Sequence, residues 1–173
     1  MYRPEPLPLS IWIVNPFDDI PGEGLPPLRY WSLARVLACR GHDVTWWTAA
    51  WSHRRKAPRS TPLLTRDEEG FAVRLVAVRP YTKNVSFARL ASHRDFGRTF
   101  ERLAHESIAS GQLERPDVIL ASLPPLEGPE AAASVFGTSS IKRGGPANSG
   151  TQAPRCQTCR GLSPAVASGI AAR

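Results

Sequence analysis

At 173 residues, with 42% apolar residues and five tryptophans, the chain has enough material for one domain with a real core and too little for a two-domain enzyme. Its formal net charge of +7 invites a nucleic-acid reading, but the charge is unevenly spread. Through Glu130 there are 17 Lys and Arg against all 15 Asp and Glu, whereas from Ala131 onward there are five basic residues and no acidic one. Basicity that belongs mainly to a tail whose one aromatic residue is Phe136 argues against a nucleic-acid module.

No stretch approaches the run of apolar residues that spans a bilayer, and prolines break up the N-terminal MYRPEPLPLS. Cys39, Cys156 and Cys159 give an odd count without framework spacing, which fits a reducing compartment. A cytoplasmic protein is expected on these grounds.

Ile11-Trp12-Ile13-Val14, closed by Asn15-Pro16, reads as a buried strand, and the Pro-, Gly- and Asp-rich segment from Asn15 to Pro27 reads as a loop. From Leu28 to Arg40, Tyr30, Leu33, Ala34 and Leu37 recur at helical spacing, and Gly41 is placed as the stop. Val44 to Thr48 is β-branched and aromatic, giving a βαβ unit with parallel strands. Adjacent Trp46 and Trp47 point to opposite faces of such a sheet, so both are expected in the core, which leaves Trp51, past the strand end, as the better ligand candidate.

A basic loop containing His53, Arg54, Arg55, Lys56 and Arg59 follows. Phe71 to Val78 reads as a strand near a sheet edge, because Ala72 and Arg74 interrupt its apolar run. Val85 to Ser110 is an amphipathic helix, in one or two pieces, with Phe96, Phe100 and Leu103 on one face and Gly111 at its end. Val118 to Ala121 is a further strand, and a helix is expected to start near Gly128. The order β-α-β-β-α-β specifies an open, doubly wound α/β sheet.

Beyond Val135 the sequence is rich in Ser, Gly, Ala, Pro and Arg and shows no sustained period. Such a composition does not bury enough apolar area to offset the entropy of ordering, so a disordered tail is expected over residues 134–173 after a domain of residues 1–133. A reading-frame change or appended unrelated sequence is the expected origin. Translation of the other two frames downstream of Ala133 tests it.

Several chemistries lack their residues. Cys156-x-x-Cys159 has too few companions for a four-ligand zinc site, the four histidines show no paired helical spacing, and no metal is expected. The first strand runs into NPFDDIPGEG, which is not a tight GxGxxG turn, so no dinucleotide cofactor is expected either. No catalytic residue can be named.

Four passages resemble the N-terminal, acceptor-side domain of family 4 glycosyltransferases, retaining enzymes of the two-domain GT-B fold: the strand IWIVNPF; the run PGEGLPPLRYWSLARVLACRGHDVTWWT; the long helical stretch before RPDVI; and RPDVILASLPPLEGPEAA. The likeness covers Leu9 to Ala133. It implies a Rossmann-like half of a GT-B enzyme that transfers a sugar from a nucleotide sugar to a lipid-linked or saccharide acceptor of the cell envelope.

By that resemblance Gly22, Glu23, Gly24, Arg29 and Ser122 are expected around the donor diphosphate and the acceptor, with Ser122 near the place where many family members carry a histidine. The glycines also fit an ordinary turn before a helix. Trp51, Arg54, Arg55 and Lys56 are candidate contacts to the acceptor or to anionic lipid at the inner membrane face, and a solvated loop is the plainer reading of the three charges. The family's second domain, with its Glu-x7-Glu motif, has no counterpart here, since no carboxylate follows Glu130. The resemblance therefore implies an incomplete enzyme, inactive alone, that needs a separate donor-binding domain. A non-catalytic module binding sugar or phosphate, or mediating an interaction, is the alternative.

Overall fold

The computed structural model describes residues 7–24, 26, 28–59 and 70–137. Their elements run β1 (Ser10–Val14), α1 (Arg29–Cys39), β2 (Asp43–Ala49), β3 (Trp51–Ser52), β4 (Ala57–Pro58), β5 (Ala72–Val76), α2 (Phe87–Ala109), β6 (Val118–Ala121) and α3 (Glu127–Gly137). The four longer strands form one parallel sheet in the order β5-β2-β1-β6, and β3 and β4 make a small antiparallel hairpin. The fold is α/β and Rossmann-like. As expected of its interrupted run, β5 lies at a sheet edge; β6 is the outermost strand on the other side.

Alternation along the strands divides the core into two layers. Ile11, Ile13, Val44, Trp46, Phe71 and Val73 face α1, whose Trp31 and Ala34 are buried against them. Trp12, Val14, Trp47, Ala49 and Val76 face α2 and α3, meeting Phe96, Phe100, Ala131, Ala132 and Val135. Trp46 and Trp47 thus lie on opposite faces, both in the core. The buried centre of α1 is Trp31 rather than Tyr30, which packs at its margin with Leu33 and Leu37.

Helix α2 is one continuous element of 23 residues, opened by Ser86, whose Oγ accepts from Arg89 N, and its buried face steps through Phe96, Phe100 and Ala104. It packs closely on α3. A Cβ added at Gly97 would stand 2.8 Å from the Glu127 carbonyl oxygen, so only glycine lets the two backbones approach this far. Gly97→Ala should destabilise the fold by about 1–3 kcal/mol, read as a fall in the denaturant midpoint.

Helix α3 continues to Gly137, with Val135 buried, so ordered structure passes the Ala133 boundary expected from composition by four residues. The composition changes before the helix does, because its small apolar residues already suffice to cover one face of the sheet. The rest of the expected tail, residues 138–173, lies outside the described residues, as do Cys156 and Cys159. Cys39 is exposed at the end of α1. Among the described residues no helix is long and apolar enough to cross a membrane.

Candidate functional site at the carboxyl edge of the sheet

In chain order the parallel strands follow the arrangement 3-2-1-4, so connections leave in opposite directions from between β1 and β6. Ligands of such sheets bind beyond the carboxyl ends of the strands at this switch point. The loop after Val14 and the segment after Ala121 border it. They are joined directly, since Ser122 N donates to Val14 O at 2.9 Å.

The first loop is braced from within. Asn15 Oδ1 accepts from Phe17 N at 3.1 Å and Asp18 N at 2.8 Å, and Asn15 O receives the Trp46 indole N–H at 3.3 Å. Gly22 and Gly24 have φ of 85° and 71°, a region that favours glycine, and both are exposed. That much suits either a turn or a ligand-facing loop.

The remaining expected donor residues are placed differently. The Glu23 side chain is fully buried. Its Oε1 lies 2.6 Å from Arg55 Nη2 and 3.3 Å from Arg59 Nε, and its Oε2 accepts from Ile20 N at 2.9 Å. Glu23 therefore fastens the loop to the β3–β4 hairpin. Asp18 Oδ2 accepts a long bond of 3.4 Å from Tyr30 N in the first turn of α1, so a carboxylate already faces the helix end expected to attract phosphate. Burial raises the Asp18 pKa, offset by the Tyr30 N–H and by Arg29. Arg29 itself is exposed over the Tyr30 ring.

Ser122 is buried, and its Oγ has no hydrogen-bond partner among the described residues. A buried hydroxyl left unpaired at the switch point is a place where a polar ligand atom or water would be stabilised.

The basic loop is also largely engaged. Arg54 pairs with Asp19 at 3.4 Å and Arg55 with Glu23, so neither charge stands free for a lipid surface. Arg59 is buried, donating to Thr48 Oγ1, Ala49 O and Asp18 O. Half-buried Trp51 donates its indole N–H to Tyr81 O at 3.1 Å and packs on the Tyr81 ring, so it serves as a wall of the site rather than an exposed platform.

Lys56 differs. Its Nζ donates to Asn84 Oδ1 at 2.6 Å, lies 3.4 Å from His53 Nδ1 and sits over the Tyr81 ring. It belongs to a second cluster that the spacing of the histidines does not disclose. His53 Nδ1 is 2.6 Å from the Tyr81 hydroxyl, and the His53 and His93 rings flank Phe17 at centroid distances of 5.2 and 5.4 Å. Arg89 lies over Phe17 and donates through Nε to His93 Nε2 at 3.3 Å. Beneath these residues a cavity of about 10 Å³, lined in part by Phe17, Trp51, Tyr81 and His93, leaves no room for an organic ligand, so any ligand must bind above it.

Burial lowers the pKa of His53, aided by Lys56, Arg89 and His93 and opposed by Asp19. Burial likewise lowers that of His93, aided by Arg89 and opposed by Glu127. Both imidazoles bind protons less readily in the folded chain than in the unfolded one. Their contribution is therefore absent above the ordinary value of 6.5, where both states are neutral, and becomes a loss of stability as pH falls below it. Denaturant titrations from pH 7.5 to about pH 5 should show a falling midpoint that His53→Gln with His93→Gln reduces.

A cleft of about 450 Å³ between α2 and α3 is lined by Arg94, Arg98, Glu101, Glu127 and Glu130 among others. Its mixed charges give it no preference for one ligand sign. No group of metal-ligating side chains occurs among the described residues. No protein-family model matches the chain, and neither a curated protein nor a solved structure does.

Proposed function

We propose that the chain is a glycosyltransferase-like lobe: the acceptor-side half of an enzyme that moves a sugar from a nucleotide sugar to a lipid-linked or saccharide acceptor, inactive without a separate donor-binding domain. The observation that carries this reading is the strand order, with a switch point whose two bordering segments, Asn15–Gly24 and Ser122–Leu126, match the passages of family resemblance. Unpaired Ser122 Oγ and the exposed positive-φ glycines leave polar groups there for a ligand. No metal or organic cofactor is required; the nucleotide sugar is a substrate.

With Glu23 and the α1 end engaged internally, diphosphate contacts from this lobe reduce to the backbone near Gly22 and Gly24 and to Arg29. The leaving diphosphate would depend chiefly on the partner domain for the charge stabilisation that drives glycosidic cleavage. A cytoplasmic site, peripheral at the inner membrane, would suit a lipid-linked acceptor.

The test is an assay of labelled nucleotide sugars with the chain alone, beside equilibrium binding of a lipid-linked saccharide acceptor. The expected result is acceptor binding without turnover. Turnover by the chain alone would overturn the half-site reading, and absence of acceptor binding would overturn the acceptor assignment. The internally engaged Glu23 and Asp18 favour, as a second reading, a non-catalytic sugar- or phosphate-binding module, to which binding of a saccharide but of no nucleotide sugar, even with a donor domain added, would point.

A further inference from the structure

The start of α2 and the β3–β4 hairpin bring basic groups together without the acids that usually accompany them. Lys56 Nζ is held 2.6 Å from Asn84 Oδ1, and Arg89 Nη1 is held 2.5 Å from the carbonyl oxygen of the same Asn84. One residue thereby fixes two cations side by side. Histidines stand behind each: His53 Nδ1 lies 3.4 Å from Lys56 Nζ, and His93 Nε2 accepts from Arg89 Nε at 3.3 Å. None of the four forms an ion pair with a carboxylate among the described residues, in contrast to Arg54 and Arg55 next to them on the hairpin. Both cations keep unused N–H groups, since Lys56 has three donors and Arg89 five.

Holding like charges together at a half-exposed surface costs free energy, which the Asn84 oxygens and the Tyr81 and Phe17 rings offset in part and a bound anion would offset further. We propose that Lys56 and Arg89, positioned by Asn84 and flanked by His53 and His93, form a binding site for a phosphate-type dianion. An ammonium and a guanidinium suit a tetrahedral oxyanion, one as a compact charge and the other as a planar fork. Of the groups facing the two histidines, Asp19 and Glu127 are negative; burial first, then Lys56 and Arg89 at His53 and Arg89 at His93, lower both pKa values while the site is empty. A bound dianion reverses that balance, so each histidine takes up a proton more readily and binding tightens as pH falls from 8 towards 6. Where the acceptor carries a phosphate, the site deepens the proposed function. It stands equally if the glycosyl-transfer reading fails, because phosphate binding is read without any nucleotide sugar.

The experiment titrates the full chain with inorganic phosphate at pH 6 and pH 8, following binding calorimetrically and the histidine Cε1 protons by NMR. The expected results are tighter binding at pH 6, a rise in both histidine pKa values on saturation, and at least a tenfold loss of affinity in Lys56→Met and in Arg89→Met, with Lys83→Ala as the control for nonspecific charge. Arg89 also covers Phe17, so if Arg89→Met unfolds, Lys56→Met, whose ammonium is at the surface, carries the comparison. Parallel arms with glycerol 3-phosphate and with vesicles of phosphatidic acid against phosphatidylcholine distinguish a soluble phosphate ester from a lipid headgroup. Binding equal in wild type, Lys56→Met and Lys83→Ala, or no binding in any arm, would overturn the proposal.

Discussion

Glu23→Ala should destabilise the fold by about 3–5 kcal/mol, because it leaves the buried Arg59 guanidinium without its carboxylate. Glu23 is fully buried between Arg55 and Arg59 and also receives Ile20 N, so one substitution removes two ion-pair contacts and a loop hydrogen bond. Burial alone already pulls the Arg59 pKa down, with Glu23 the first group holding it up. The double substitution Glu23→Leu with Arg59→Met should be much milder than Glu23→Ala, since it removes the stranded charge together with its partner. Urea unfolding of the single and double variants measures this directly. If Glu23 instead contacted a donor diphosphate in solution, Glu23→Ala would alter ligand binding and leave the denaturant midpoint near its starting value.

Phe100→Ala should cost about 3–5 kcal/mol, the range for emptying an aromatic site in a packed core. Phe100 is fully buried and meets Trp12, Trp47 and Phe96 at ring-centroid distances of 6.5, 5.2 and 6.2 Å. With Phe96, it carries α2 onto the middle strands of the sheet. Removing it loosens the helix that also carries Arg89 and His93, so the near-ultraviolet circular dichroism of the tryptophans should change along with the midpoint. Phe100→Leu should recover most of the loss.

Much of this architecture can be read from local pattern. The four sheet strands, the stop at Gly41 and the division of Trp46 from Trp47 follow from alternation, glycine placement and β-branching, which act over a few residues. The edge position of β5 follows from the break in its apolar run at small Ala72 and charged Arg74. What the pattern withholds is where a charged side chain turns once its loop is folded. Glu23 reads as a loop carboxylate, but its partners lie 32 and 36 residues away on the hairpin. Likewise His53 and His93 share no motif, and only the packing of the hairpin and α2 around Phe17 brings them together. The continuation of α3 to Gly137 leaves little periodic signal in the sequence, because small residues cover a sheet without one.

The same long-range pairing decides which expected contacts stay available. Arg54 and Arg55 are committed to the acids of the first loop, and Trp51 to Tyr81, whereas Lys56 and Arg89 keep donors to offer. Of the basic run, it is therefore Lys56, with Arg89 on the helix beside it, that retains donors.

The most direct measurement is amide chemical-shift mapping of the isotopically labelled chain during titration with a hexose 1-phosphate, which joins a saccharide to a phosphate. A site at the carboxyl edge of the sheet predicts the largest shifts at Asn15 and Phe17, from His53 to Lys56, at Asn84 and Arg89, and at Ser122. Shifts confined to Arg94, Arg98 and Glu130 in the α2–α3 cleft, with the carboxyl edge unmoved, would contradict it.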